Sequence, residues 1–170
     1  MNEFNMEEIN IDDADLRLLD LLQTDASRSN QALAELAHLS PPTSLRRVKR
    51  LRALGVIERE VAVLQPDRLA TLIGHGLTTV VEITLERQGA EQLNAFEARV
   101  QSESAVQQCY RVSPGPDFVL VVCCIDMPAY LALTQRLFTS DANVRNIKAF
   151  FSIKRAKFDP RLPLPPTSLR

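Results

Sequence analysis

The apolar positions in the first third of the chain recur every three or four residues, and beyond about Gly76 the spacing changes to two. Leu16, Leu19 and Leu22, widened by Leu18 and Leu21, make one broad helix face. Asp12 or Asp13 caps that helix, and Asp15 falls in its first turn, where an acidic side chain meets the positive end of the helix dipole. Asp25-Ala26-Ser27 closes it. A short second helix, NQALAELA, is capped by Ser29 or Asn30 and carries Leu33, Leu36 and Ala37 on its apolar face. His38-Leu39-Ser40 is a tight turn. Ser40 then caps a third helix, and Pro41 occupies its first position, where no N–H is needed. Leu45, Val48 and Leu51 form the apolar stripe of this helix, and Gly55 follows its end. VIEREVAVLQPD alternates as a small hairpin or wing does.

The second half alternates strands and helices. LTTVVEITLE predicts a strand and AEQLNAFEARVQ a helix with Leu93, Phe96 and Val100 on one face. AVQQCYRVS and DFVLVVCCID predict two strands separated by the hard turn Pro114-Gly115-Pro116. MPAYLALTQRLF predicts a helix, and VRNIKAFFSIKRAKF a long last strand. The order β-α-β-β-α-β is the split βαβ pattern. FVLVVCCI is apolar on both faces, and Phe150 and Phe151 point opposite ways, yet two helices cover only one face of such a sheet. A second copy of the sheet is the economical cover, which predicts a two-fold homodimer.

The predicted fold is therefore α+β: an N-terminal winged helix-turn-helix over 1–63, a hinge over 64–75, and a βαββαβ ferredoxin-like αβ-sandwich over 76–157 that dimerises through its sheet. The Pro-rich stretch 158–170 reads as an extended tail.

Charge changes the picture where composition does not. The net charge is −1 and the pI near 6.1, which announces no nucleic-acid binder. The charges are segregated, however: Glu3, Glu7, Glu8, Asp12, Asp13, Asp15 and Asp20 crowd the front, and Arg46, Arg47, Lys49, Arg50 and Arg52 crowd the third helix. On that helix Arg46 and Arg50 fall opposite the apolar stripe, with Thr43 and Arg47 beside them and Lys49 on the other shoulder. Arginine makes a bidentate fork to guanine, and threonine meets a base edge or a thymine methyl. Lysine and helix N-termini hold phosphates. Helix, short helix, tight turn and basic helix is the helix-turn-helix arrangement, so the expected partner is double-stranded DNA. The candidate DNA-binding residues are Ser29, Asn30, Ser40, Thr43, Arg46, Arg47, Lys49 and Arg50, and Arg46, Arg47 and Arg50 are the expected base readers. The alternative is a solvated basic face paired with the acidic front.

No apolar run approaches the roughly 20 residues a membrane crossing needs. The first residues lack the apolar core of a signal peptide. Cys109, Cys123 and Cys124 have no metal-ligand spacing and read as reduced thiols of a cytoplasmic protein. No cofactor or metal is expected.

SNQALAELAHLSPPTSLRRVKRLRALGVI resembles the DNA-binding half of the Lrp/AsnC (feast/famine) family of regulators, with its Ser-Pro start, basic helix and Gly-Val-Ile ending. VVEITL and DMPAY resemble strand and helix segments of the family's second half, so the likeness runs from about Ile11 to Lys157. It implies a sequence-specific transcriptional regulator whose dimers bind pseudo-palindromic sites and often build octamers. It also implies an amino acid or related metabolite as effector, bound at the αβ-sandwich interfaces. His38 stands where the family often has Gly, and tolerates a left-handed backbone better than most residues. By position, Ser113, Gly115 and Asp117 are the effector-binding candidates, with Asp117 the acceptor for an α-ammonium. Pro114 replaces the family's usual glycine there, and Ile147 and Ala149 replace common hydroxyl residues, which favours a more apolar effector or none. The plainer reading is a rigid Pro-Gly-Pro turn with Asp117 capping the strand.

Two other functions fit the same fold. One is an effector-independent DNA-organising protein. The other is an enzyme, since some tetrapyrrole decarboxylases resemble the family in both halves. Only His38, His75, Tyr110, Arg111 and Tyr130 are available to such chemistry, and no paired acid or nucleophile set accompanies them.

Overall fold

The computed structural model describes residues 10–74 and 76–166. Glu3, Glu7, Glu8 and His75 lie outside them. The described residues separate into two compact units. Those up to Ala62 and those from Lys157 onward form the first, and Val63–Ala156 form the second.

The first unit is built on α1 (Asp13–Thr24), α2 (Asn30–Leu36) and α3 (Pro41–Ala53). Asp12 caps α1 reciprocally: the Asp15 N–H donates to its carboxylate at 2.9 Å, and its own N–H donates to the Asp15 carboxylate at 3.3 Å. The Ser29 hydroxyl accepts the Ala32 N–H at the start of α2. Between α2 and α3 the chain turns through His38, whose φ of 57° is left-handed, as expected where glycine is usual. Gly55, at φ 71°, ends α3, and the Val56 N–H closes back on the Leu51 carbonyl at 3.0 Å. Leu18, Leu33, Ala37 and Val48 form the small core.

The buried stripe of α3 differs from the expected one. It is Ser44, Val48 and Leu51, while Leu45 is 44% exposed. At about 100° per residue, steps of four and three nearly close the turn, whereas two steps of three drift about 120°. Leu45 therefore sits on the shoulder. The expected hairpin is also not formed, because 58–65 contains no strand. Its alternation supplies period but no partner, and an unpaired strand leaves its backbone groups unmet. The expected hinge is occupied by α4 (Pro66–Ile73), opened by Pro66 at its first turn, with none of its side chains buried.

The tail belongs to the first unit. The Leu162 N–H donates to the Gln23 side chain, and the Gln23 amide donates back to the Leu162 carbonyl, each at 2.9 Å. Leu164, Pro165 and Pro166 line a depression on α1 and α2 together with Leu16, Leu21 and Leu36.

The second unit carries β1 (Leu77–Leu85), α5 (Ala90–Gln101), β2 (Val106–Arg111), β3 (Phe118–Cys124), α6 (Met127–Thr134) and β4 (Val144–Phe151). A π-helical turn, Gln135–Thr139, extends α6. The sheet is antiparallel in the order β2-β3-β1-β4, which is the ferredoxin-like βαββαβ topology. Val81, Ile83, Leu85, Phe118, Leu120 and Val122 turn one sheet face to the helices and pack on Phe96, Val100, Tyr130, Leu133 and Phe138. Phe96 stacks on Phe118 with ring centroids 4.6 Å apart. β4 stops at Phe151, earlier than the apolar pattern suggests. Its neighbour β1 begins at Leu77, so the ladder runs out at the Ser152 N–H, which donates to the Thr78 carbonyl. Among the described residues no helix is long and apolar enough to cross a membrane.

Candidate nucleic-acid interface and effector loop

The buried stripe of α3 fixes which side chains face outward. With Ser44, Val48 and Leu51 inward, Arg46 and Lys49 lie on the opposite side of the helix, with Thr43 and Arg50 on one shoulder. Arg46 and Lys49 are exposed and make no side-chain hydrogen bond or ion pair with any described residue.

Arg47 and Arg50 are placed differently. Arg47 Nη1 donates to both oxygens of Asp12, at 2.9 and 2.8 Å, and to Asp15 Oδ1 at 3.0 Å. Arg50 donates to Asp15 Oδ2 and to the Asn10 carbonyl. Asp15 is 1% exposed, so its carboxylate is one of the few buried charges, and three donors satisfy it: two guanidinium groups and the Asp12 N–H. The Asp15 and Asp12 carboxylates raise Arg47 above its ordinary range, against a smaller opposing effect of burial. Burial pushes the Asp12 carboxyl upward, but the Asp15 N–H and the Arg47 guanidinium outweigh it and hold the group below the usual carboxylate range. Asp12 and Asp15 belong to the acidic front that the sequence offered as the alternative partner of the basic face, and Arg47 and Arg50 make that pairing. The pairing had a trace in the spacing, because Asp15 lies one turn before Leu18 on the core face of α1.

The remaining DNA-binding candidates gather around the turn. Ser40 Oγ and Thr43 Oγ1 share a hydrogen bond of 2.8 Å, and the Asn30 amide donates to the Pro41 carbonyl at 2.9 Å. Ser29 is engaged in capping α2. These residues hold α2 against the start of α3, and the exposed Ser40 hydroxyl stays at the rim of the basic face.

Ser113, Gly115 and Asp117 lie together in the turn between β2 and β3. Ser113 and Gly115 are exposed, and Gly115 has φ 123°, a backbone that only glycine adopts readily. The Asp117 backbone pairs both ways, its N–H to the Ile83 carbonyl and its carbonyl to the Val112 N–H. Asp117 Oδ2 accepts the Leu85 N–H at 2.6 Å and the Gln88 amide at 3.3 Å. The carboxylate thus ties the loop to the end of β1.

The side chains weighed for catalysis do not converge. Tyr130 is buried on the helix-covered face with its ring edge-on to Phe151. Arg111 pairs with Glu97 and Asn94 of α5. Tyr110 opposes Val119 in the ladder, on the other sheet face. The three cysteines are half-buried free thiols, and burial pushes Cys109 and Cys124 up, away from reactivity. The other sheet face carries Val80, Val119, Val121, Tyr110 and Phe150, with Phe150 53% and Tyr110 55% exposed.

A helix-turn-helix unit with an outward basic helix, followed by a ferredoxin-like sheet covered on one face, defines a DNA-binding regulator with a separate second module. The comparisons agree. Residues 11–52 match the AsnC-type helix-turn-helix domain, and residues 78–162 match the Lrp/AsnC ligand binding domain. The chain belongs to the Lrp/AsnC family of transcriptional regulators. It is 33% identical to an uncharacterized HTH-type transcriptional regulator of Sinorhizobium fredii, over 86% of this chain and 85% of that one. It is also 33% identical to the glutamate uptake regulatory protein of Zymomonas mobilis, over 93% of each chain. Among solved structures it is similar to a transcriptional regulator of Neisseria meningitidis in complex with L-Met. There the TM-score is 0.77 and the identity 26%, covering 91% of this chain and 97% of that one. The names of these relatives are those of regulators, not of enzymes.

Proposed function

We propose that this regulator reads DNA with the outward face of α3, through Arg46 and Lys49 with Thr43 at their side. The supporting observation is that Arg46 and Lys49 stand exposed on the helix after the left-handed turn, with no partner among the described residues. Ser29, Asn30 and Ser40 border this face and set the angle at which α3 enters a major groove. Two copies joined through the uncovered sheet face, around Val80, Val121 and Phe150, present two such helices to a pseudo-palindromic site. Assembly to an octamer extends the same arrangement. The effector is an amino acid or a related small metabolite. The Zymomonas relative is named for glutamate uptake and the Neisseria neighbour was solved with L-Met, which supports this class of ligand. Exposed Ser113 and Gly115 supply hydroxyl and amide donors for its carboxylate, and Asp117 accepts from its ammonium.

The test is fluorescence anisotropy on duplexes from upstream of the protein's own gene and on scrambled duplexes, across a salt series, with and without an amino-acid pool. Wild type prefers the upstream DNA, and an Arg46→Ala/Lys49→Ala variant loses the preference. Equal binding of the two proteins to both duplexes would refute the interface. An effector-independent DNA-organising protein would instead show no preference and no response to amino acids.

A further inference from the structure

An ion-pair cluster lies between α3 and the start of α1. Four charged side chains, Asp12, Asp15, Arg47 and Arg50, interlock α1 and α3, and the carboxylate at the centre is buried. Each arginine lies one position from an outward cation: Arg47 follows Arg46, and Arg50 follows Lys49. A guanidinium on a flexible stem at those positions has a DNA backbone within its reach once α3 lies in a groove. What keeps it back is Asp15, which accepts from both arginines, and Asp12, which takes a second share of Arg47.

We infer that Asp15, assisted by Asp12, is a specificity-determining residue: by holding Arg47 and Arg50 on the protein side it fixes the direction in which Arg46 and Lys49 meet the bases, and it subtracts two cations from the sequence-independent attraction of the recognition helix for phosphate. This rests on the proposal that α3 faces DNA. Phosphate attraction raises affinity for every sequence alike, so withholding two cations lowers binding to preferred and scrambled sites together and leaves their ratio to the orientation of the base-reading side chains. The chain's net charge of −1 fits the same economy, since little general attraction remains beyond α3 itself. The arrangement also orients the helix. One donation from each guanidinium, to the two oxygens of one buried carboxylate, fixes the rotation of α3 about its axis, and with it the direction of Arg46 and Lys49. Asp15 is thus a positioning residue that touches no DNA.

The experiment uses the full chain with Asp15→Asn, which preserves size and removes the charge that holds the two guanidinium groups. Circular dichroism and urea melts establish that it folds. Anisotropy is then read on scrambled and on preferred duplexes between 50 and 200 mM salt. The expected result is tighter scrambled binding, by about tenfold at the low-salt end, and a salt slope steeper by about 0.9 for each guanidinium released. The ratio of preferred to scrambled affinity falls, because α3 loses the rotation that directs Arg46 and Lys49. A destabilised protein with no such role would lose binding to both duplexes and keep its slope. Asp12→Asn gives a second reading if Asp15→Asn fails to fold. It frees part of the hold on Arg47, and a slope steeper by up to about 0.9 is expected. A folded variant with an unchanged slope and an unchanged ratio overturns the inference. So does an Arg47→Ala/Arg50→Ala variant whose scrambled-DNA slope is shallower than that of the wild type, because those cations would then already be on the DNA. Failure of the underlying reading shows separately, as Arg46→Ala/Lys49→Ala binding no differently from wild type.

Discussion

Asp117 closes the loop between β2 and β3, and its replacement tests that loop in two ways. Its Oδ2 accepts the N–H of Leu85, a residue 1% exposed, at 2.6 Å. A hydrogen bond to a charged acceptor contributes about 1.5–3 kcal/mol, and an orphaned buried donor costs a similar amount. Asp117→Ala removes the acceptor and leaves the Leu85 N–H unmet, so an expected loss is about 2 kcal/mol. For a unit of this size that lowers the melting temperature by about 8–16 °C. Asp117→Asn keeps an oxygen at the same place and exchanges a charged acceptor for a neutral one, with an expected loss of about 1 kcal/mol. The effector role responds in another order. Both variants lack the negative charge that an α-ammonium needs, so both lose the amino-acid response of DNA binding, although only the alanine variant is strongly destabilised. Urea unfolding followed by circular dichroism gives the first quantity, and calorimetric titration with amino acids gives the second. An alanine variant as stable as wild type would refute the tie to β1. An asparagine variant with full effector affinity would refute the ammonium contact and leave Asp117 as a loop fastener.

Ser44 is fully buried and its hydroxyl has no hydrogen-bond partner among the described residues, so Ser44→Ala is expected to stabilise the protein by about 1 kcal/mol in urea melts; a loss of stability would show the hydroxyl is satisfied. His38 sits at φ 57°, where a β-branched side chain is strained, so His38→Val is expected to cost about 1–2 kcal/mol, while His38→Gly, which removes the strain but loosens the unfolded chain, stays within about 1 kcal/mol of wild type. Phe150→Asp on the uncovered sheet face is expected to shift the sedimentation coefficient to that of a monomer without unfolding the sheet; an unchanged coefficient would place the dimer contact elsewhere. Burial pushes Asp141 upward, but the Asn143 N–H and the Arg99 guanidinium outweigh it, so its folded pKa lies below the unfolded value. Its contribution, like that of Asp12, is therefore present above about pH 4 and lost as pH falls through the lowered values; acid titration of Asp141→Asn should show a smaller drop in stability than wild type.

The helices of the first unit and the βαββαβ order of the second were legible because each carries its own period and end markers. Ser40-Pro41 and Gly55 bracket α3, and alternation along β1 separates Val81, Ile83 and Leu85 from Val80 and Glu82. What failed were inferences that need a partner from elsewhere in the chain. Val56 to Leu64 alternate like a strand, but among the described residues no strand pairs with them. Leu45 looks like core by hydropathy, and the small Ser44 takes the inward place, since α3 meets its neighbours along the 44-48-51 line. The basic face was legible as a cluster and not as individual roles. Arg46 and Arg47 are alike as letters, and only the placement of Asp12 and Asp15 beside Arg47 distinguishes the paired side chain from the exposed one. In the same way Asp117 could be placed in the effector loop by position, but its bond to Leu85, thirty-two residues earlier, is a matter of sheet register.

The tail described with the first unit has a consequence for the order in which the molecule is completed. Gln23 and Leu162 are 139 positions apart, yet they share two hydrogen bonds in one small unit. On the ribosome, α1, α2 and α3 emerge before the sheet module and already hold their own core, but the depression bounded by Leu16, Leu21 and Leu36 stays wet until Leu164, Pro165 and Pro166 have followed it. The whole sheet module is made in between. The DNA-reading unit is thus completed only after the sheet module has been made, and a nascent chain stalled before Leu162 carries its helices without their closing strap.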